Sequence, residues 1–268
     1  MLKIELDLNK SVEENAAKYF DEAKKAKKKL KGTIQAVEEF KKKKQVFDKK
    51  VLKEKEVEQK IEVEKSRKKF WFEKYKWFIS SDNFLVIGGK DAMSNEEIIK
   101  KHVLTKDLVF HTEMPKSPFV IVKNDKALVP KTTLVEAAVF TGLNSKSFSD
   151  GMSSADVFMV KPEQVTKKAM SGEYLTKGSF MIYGKRENFQ VNLELGAGII
   201  NWEGQNLVMV GPKSAINTHC EKKVFLKQGT LKKGEMSKKL MKHFNLSTND
   251  DLLSQLPQGT FDLVKIKK

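Results

Sequence analysis

The sequence predicts an α+β fold, with a mixed or antiparallel sheet in its larger part and an N-terminal helical hairpin, an antiparallel coiled coil, before it. Three observations lead there. The first 76 of the 268 residues contain one glycine, Gly32, and no proline, whereas all six prolines lie beyond position 110. Apolar positions in that first stretch recur at alternating steps of four and three, the period of a coiled-coil seam. Farther on, short apolar runs bounded by turn residues alternate with a few helical patterns and show no regular βαβ spacing, which points to α+β. The expected domains are therefore residues 1–76, a basic arm, and residues 77–268, a folded body.

The arm opens at Ser11, which with Glu14 has the spacing of a capping box. The seam then runs through Val12, Ala16, Tyr19, Ala23, Ala26, Leu30, Thr33, Val37 and Phe40. Lysines, Lys24, Lys25 and Lys28 among them, occupy the other faces. At Lys41 to Lys44 four like charges repel along a helix face, so the hairpin tip is expected there, with a return helix through Val51, Val57 and Ile61. Two arms of about 30 residues would each project about 45 Å. One unbroken helix that dimerises is the competing reading, because Phe47 and Val51 keep the register.

The body begins with Phe70 to Phe78, where six of nine residues are aromatic. Such rings either stack on unpaired bases or anchor the arm in a hydrophobic core. Trp77–Ser80 and Phe84–Ile87 flank Ser81-Asp82-Asn83 as a β-hairpin. Ser94 and Glu97 read as a helix cap ahead of Ile98 and Ile99. Strands follow at Leu108–His111 and Phe119–Lys123, then a helix from Pro130 that closes at Gly142. Further strands are expected at Val157–Val160 and Phe180–Tyr183, with a meander over 189–210 turning at Glu203 to Asn206. Helices at Glu235–Phe244 and Asp250–Leu256 precede a last strand, Phe261–Ile266.

Charge narrows the class of partner. Lysine and arginine number 51 against 35 acids, a net charge of +16. The first 76 residues hold 24 basic and 15 acidic side chains, an excess of nine, and the body carries the remaining seven. A basic rod of this density seeks phosphate. The single cysteine, Cys220, excludes an internal disulfide, and no CxxC pair exists for structural zinc, so no metal or other cofactor is expected. Acids in the first seven residues argue against a signal peptide, and no apolar run reaches membrane-spanning length. A cytoplasmic protein without a membrane partner is the expectation.

Residues Trp71 to Ala92, with Asn95-Glu96 behind them, closely resemble the opening of the NFACT-R domain of the NEMF family of ribosome-associated quality-control factors. Gln164 to Lys167 and Ser171 to Lys185 look like that domain's second signature, in the same order and spacing. The arm is similar as well, through Ser11, Glu14, Asn15, Ala16, Tyr19, Phe20, Lys24, Lys25, Lys28 and Gly32. The resemblance implies binding to a large ribosomal subunit that carries a stalled peptidyl-tRNA, so ribosomal RNA and tRNA or peptidyl-tRNA are the expected partners. Full-length members recruit tRNA and extend the stalled chain without a template. Nothing here resembles the family's N-terminal domain or helix-hairpin-helix segment. The sequence is thus expected to be a truncated member, an excised fragment, or half of a split protein whose other chain is a partner. Lys116 occupies a glycine position of the family, and Phe148 stands where relatives carry tryptophan.

The resulting expectation is a non-catalytic RNA binder. Its RNA-facing residues are expected to be Lys24, Lys25 and Lys28 on the arm. On the loops and strand ends of the body they are Lys90, Lys116, Lys123, Lys146, Lys167 and Lys185, with Asp91, Asn95, His111, Glu113 and Ser145 beside them. Lys232 and Lys233 belong to the same basic set, and each of these lysines, taken singly, reads first as a solvated surface charge. Two alternatives stay open. His111 with Glu113 could be an acid/base pair acting on RNA, and the seam could make a protein–protein scaffold. His219-Cys220 and Gly88-Gly89-Lys90 are weaker catalytic and phosphate signals, since adjacent strand residues face apart and the P-loop spacing is missing.

Overall fold

The computed structural model describes residues 4–115, 117–125, 128–167 and 178–264, and for residues 46, 49–50 and 52–66 the backbone alone. Two compact units divide between Arg67 and Lys68.

The first unit is one helix, α1 (Val12–Ser66), of 55 residues. Its start is the expected capping box: Ser11 N donates to Glu14 Oε2 at 2.8 Å and Glu14 N to Ser11 Oγ at 3.1 Å. Asn15 holds the preceding segment against the first turns, donating to Asp7 O at 3.0 Å and accepting from Asp7 N at 2.9 Å. The expected hairpin turn at Lys41 to Lys44 is absent, because those residues are helical. Like-charge pairs at i,i+4 cost only a few tenths of a kcal/mol, while Lys and Gln favour the helix and no glycine or proline interrupts it after Gly32. At 1.5 Å per residue the helix is about 80 Å long. Phe20, Phe40 and Phe47 of the apolar faces are exposed.

The second unit is α+β, and every strand pairing among the described residues is antiparallel. The first sheet contains β1 (Lys76–Ile79), β2 (Leu85–Gly88), β3 (Leu108–His111), β4 (Val120–Val122), β5 (Ser154–Val160) and β8 (Glu187–Asn192), in the order β1-β2-β4-β3-β5-β8. β6 (Val165–Thr166) and β7 (Met181–Ile182) form a small separate ribbon. The second sheet runs β10 (Gln205–Pro212), β9 (Leu195–Trp202), β11 (Lys223–Lys232), β12 (Thr260–Leu263). Helices α2 (Ala92–Glu97), α3 (Lys131–Leu143), α4 (Lys146–Ser149), α5 (Lys213–His219), α6 (Lys233–Phe244) and α7 (Asp250–Gln255) fill the connections.

The first core joins the sheet bearing Phe78, Val86, Phe110 and Ile121 to Ala137 and Phe140 of α3. The second packs Leu195, Val210 and Phe261 against Met236, Leu240 and Leu252 of α6 and α7. Most of the aromatic run belongs to the first core: Phe72, Tyr75, Trp77 and Phe78 are at most 3% exposed, while Trp71 is 46% exposed and stacks on His102 at 4.7 Å. The β1–β2 turn is fixed from below by Glu136 of α3, a buried carboxylate that accepts from Ser81 N at 2.8 Å and from Ser214 Oγ of α5 at 2.6 Å.

Three local expectations are corrected. The cap of α2 is Asp91 rather than Ser94, and residues 98–102 that follow wind as a wider π turn. The stretch 189–210 is no meander, since β8 pairs with β5 of the first sheet and only β9–β10 forms a hairpin in the second. His219 ends a helix instead of lying in a strand; its Nε2 contacts Ser80 O at 2.7 Å, and burial pushes the Cys220 thiol up to about 11, so no nucleophile and base meet there.

Candidate nucleic-acid interface

A cleft of about 840 Å³ opens where the β2–α2 loop, the end of β3, residues 112–115 and 117–119, and β7 converge. It gathers five of the residues expected from sequence: Lys90, Asp91, Asn95, His111 and Glu113. One wall is aromatic, made of His111, Phe119, Phe158 and Phe180. The His111 ring sits 4.3 Å from Phe119, and Phe180 meets Phe119 edge-on at 5.3 Å.

The β2–α2 loop is tightly organised. Asp91 accepts from Ser94 N at 2.8 Å and Ser94 Oγ at 2.9 Å, and these bonds lower its carboxyl below the usual range. Lys90 N donates to Ser94 Oγ at 2.8 Å, and its ammonium reaches Ser254 of α7. Asn95 is buried with both amide atoms engaged: Oδ1 accepts from Phe119 N at 3.1 Å and Nδ2 donates to Ser117 O at 3.4 Å. It thus sets the distance between the loop and the opposite wall.

His111 is mostly enclosed, and burial lowers its pKa, so the ring is neutral at pH 7. Glu113 pairs with Arg186, not with the imidazole, and is largely exposed. The Arg186 guanidinium lies 4.4 Å from the Phe158 ring centre. Phe119 and Phe158 are buried within this wall, which leaves the partly exposed His111 and Phe180 rings and the Arg186 guanidinium as the surfaces suited to stacking on a base. Arg186 was not expected from sequence. Its signal was rarity, since it is one of only two arginines among 51 basic residues.

Glu96 of α2 fastens the cleft's far side. It accepts from Lys100 Nζ at 2.6 Å, Lys167 Nζ at 3.3 Å and Gly178 N at 3.3 Å, and hydrogen bonds from Lys100 and Lys167 hold its carboxyl down to about 2. Gly178 has φ +81°, and a Cβ there would lie 2.6 Å from Ala92 Cα, so only glycine permits this approach.

The remaining expected residues are scattered. Lys123 pairs with the buried Asp107 and donates to His102 O at 2.6 Å. Ser145 caps α4, its Oγ accepting from Ser147 N at 3.2 Å and donating to Gly142 O at 2.8 Å. Lys146 is exposed beside Asp150 at 3.7 Å, Lys167 lies over the Phe180 ring, and Lys185 is exposed. Lys24, Lys25 and Lys28 are exposed on α1. Lys116, and residues 171–177 of the second signature, lie outside the described residues. Among the described residues, no group of three or more potential ligands could hold a metal, and no helix is long and apolar enough to cross a membrane.

Residues 74–184 match the family described as NFACT protein RNA binding domain. The chain is 38% identical over 213 residues to the archaeal Rqc2 homolog aRqcH of Methanocaldococcus jannaschii, covering 78% of this chain and 31% of that one. It is 39% identical over 197 residues to the ribosome quality control complex subunit NEMF homolog of Drosophila melanogaster, covering 73% and 20%. Human NEMF matches at 39% over 173 residues, 64% of this chain and 16% of that one. The chain thus spans less than a third of the length of these relatives. With an RNA-binding domain that carries the cleft, and relatives that are quality-control subunits, the chain belongs to the NEMF/NFACT family.

Proposed function

We propose that the chain binds ribosomal RNA and tRNA or peptidyl-tRNA on the large ribosomal subunit, in the cytoplasm, as a non-catalytic factor of ribosome-associated quality control. The observation that carries this reading is the cleft: the aromatic wall and the Lys90 loop lie inside the matched RNA-binding domain, and the guanidinium of Arg186, two residues beyond it, sits on Phe158. Stacking on unpaired bases supplies shape recognition and lysines supply phosphate attraction. The arm adds a long basic surface to the same task. A catalytic role gains no support from His111 and Glu113, since the Glu113 carboxylate pairs with Arg186 and the His111 ring packs on Phe119.

Ultraviolet crosslinking of the chain to purified large subunits, read by mass spectrometry, tests this. Crosslinked peptides containing Phe180 to Arg186 or His111 to Phe119 are expected. Efficient crosslinking confined to peptides remote from the cleft contradicts it.

A further inference from the structure

Three cations of the second unit reach α7 or its end, and a fourth, Lys233, opens the neighbouring α6. Lys69 Nζ lies 3.4 Å from Asp251 Oδ1. Lys90 Nζ donates to Ser254 Oγ. Lys76, only 8% exposed, donates to the carbonyls of Gln255 at 2.9 Å and Leu256 at 2.5 Å. Lys233 opens α6, which is tied to α7 by the bond from Asn249 Nδ2 to Ser237 Oγ at 3.0 Å. Burial lowers the pKa of Lys76, Lys90 and Lys233 alike; Lys233 and Lys90 add to the effect on Lys76, and Lys90 adds to that on Lys233.

Lys76 has a structural explanation, since its ammonium satisfies the last carbonyls of α7. Lys90 and Lys233 do not. Asp251 and Asp91 both act on Lys90, but Asp251 is shared with Lys69 and Asp91 is bonded to Ser94, so both acids already have partners. Like charges held together in a partly buried setting are unfavourable until an anion joins them. A hydroxyl at Ser254 stands among them as a further donor. Lys90 also lines the cleft, so a strand whose base enters the cleft has a phosphate within reach of this cluster.

We infer that Lys90, Lys233 and Ser254 form a phosphate-binding subsite beside the cleft. It rests on the RNA-binding reading for its ligand, a phosphodiester of the RNA backbone; free phosphate is the other source of the same chemistry.

The test compares the full chain with a Lys90→Gln/Lys233→Gln double variant, a Ser254→Asp variant and a Lys238→Gln control on the exposed face of α6. Single-stranded RNA affinity is measured against salt, and inorganic phosphate is titrated while the Ser254 and Lys233 amide resonances are followed. The double variant should lose about tenfold in RNA affinity, with the slope of log K against log salt reduced by about 0.7 for each lost contact. Lys238→Gln should change either value far less. Phosphate should shift the two amides in the parent chain and not in the double variant. Ser254→Asp supplies the missing anion, so it should raise the melting temperature while weakening RNA binding, which separates loss of the site from loss of the fold. An unchanged RNA slope in the double variant overturns the RNA ligand, and equal phosphate shifts in parent and variant overturn the site. A parent that binds no RNA, yet shows phosphate shifts lost in the variant, supports the site and removes the RNA reading beneath it.

Discussion

Gly89 and Asn95 approach so closely that a Cβ at position 89 would lie 1.9 Å from Asn95 Oδ1 and 3.0 Å from the Asn95 amide nitrogen. The same Asn95 spans the cleft to Phe119 and Ser117. Gly89→Ala must therefore move either the loop or the amide that positions the opposite wall. A loss of about 2 kcal/mol in stability is expected from such overpacking, measured by denaturant unfolding, with RNA affinity reduced alongside. A variant with parental stability and affinity would show that the contact is slack.

Lys123 looked from sequence like one more cation for RNA, yet its ammonium lies between Asp107 and the carbonyl of His102. Asp107, 1% exposed, also accepts from Leu104 N at 2.8 Å and Asn124 N at 2.9 Å. Removing the cation leaves a buried carboxylate short of its counter-charge, which costs about 3 kcal/mol. Lys123→Met should show that loss in urea unfolding. Its effect on the salt dependence of RNA binding should be near zero.

Half-buried histidines give the domain an acid sensitivity of definite sign. His111 and His102 have pKa values lowered by burial. In the unfolded chain each takes up a proton near pH 6.5, before the folded chain does. Stability is therefore complete above that pH and is lost as pH falls below it. His111→Asn should make unfolding free energy less steep between pH 7 and 5, leaving the share due to His102. Identical pH profiles for parent and variant would contradict a neutral, enclosed His111.

The arm's continuity is open to direct measurement. Spin labels on cysteines replacing Lys28 and Lys60 lie 32 residues apart, about 48 Å along one helix. A hairpin turning near Lys43 would bring them within about 20 Å. Cys220, buried with its thiol pushed up to about 11, should stay unlabelled.

What could be read in the sequence was whatever local patterns decide. The β1–β2 hairpin shows itself in Ser81-Asp82-Asn83, where Asn83 takes φ +63°, and α3 shows itself in its apolar spacing and its stop after Gly142. The expected hairpin tip does not form because four adjacent lysines, though they look disruptive, repel only weakly beside helix propensity. Sheet membership is non-local, so nothing in β8 revealed that it pairs with β5 across a long gap in sequence. The cleft followed the same division. His111, Asn95 and Lys90 were visible in motifs, but that Glu113 turns to Arg186 and Lys90 to Ser254 depends on contacts across 73 and 164 residues.

The central claim is that basic and aromatic surfaces of this chain bind RNA of the large ribosomal subunit. Co-sedimentation with purified large subunits over a series of salt concentrations tests it most directly. The account predicts pelleting at moderate salt that weakens steeply as salt rises and is reduced by Arg186→Ala. Absence from the pellet at every salt concentration would contradict it.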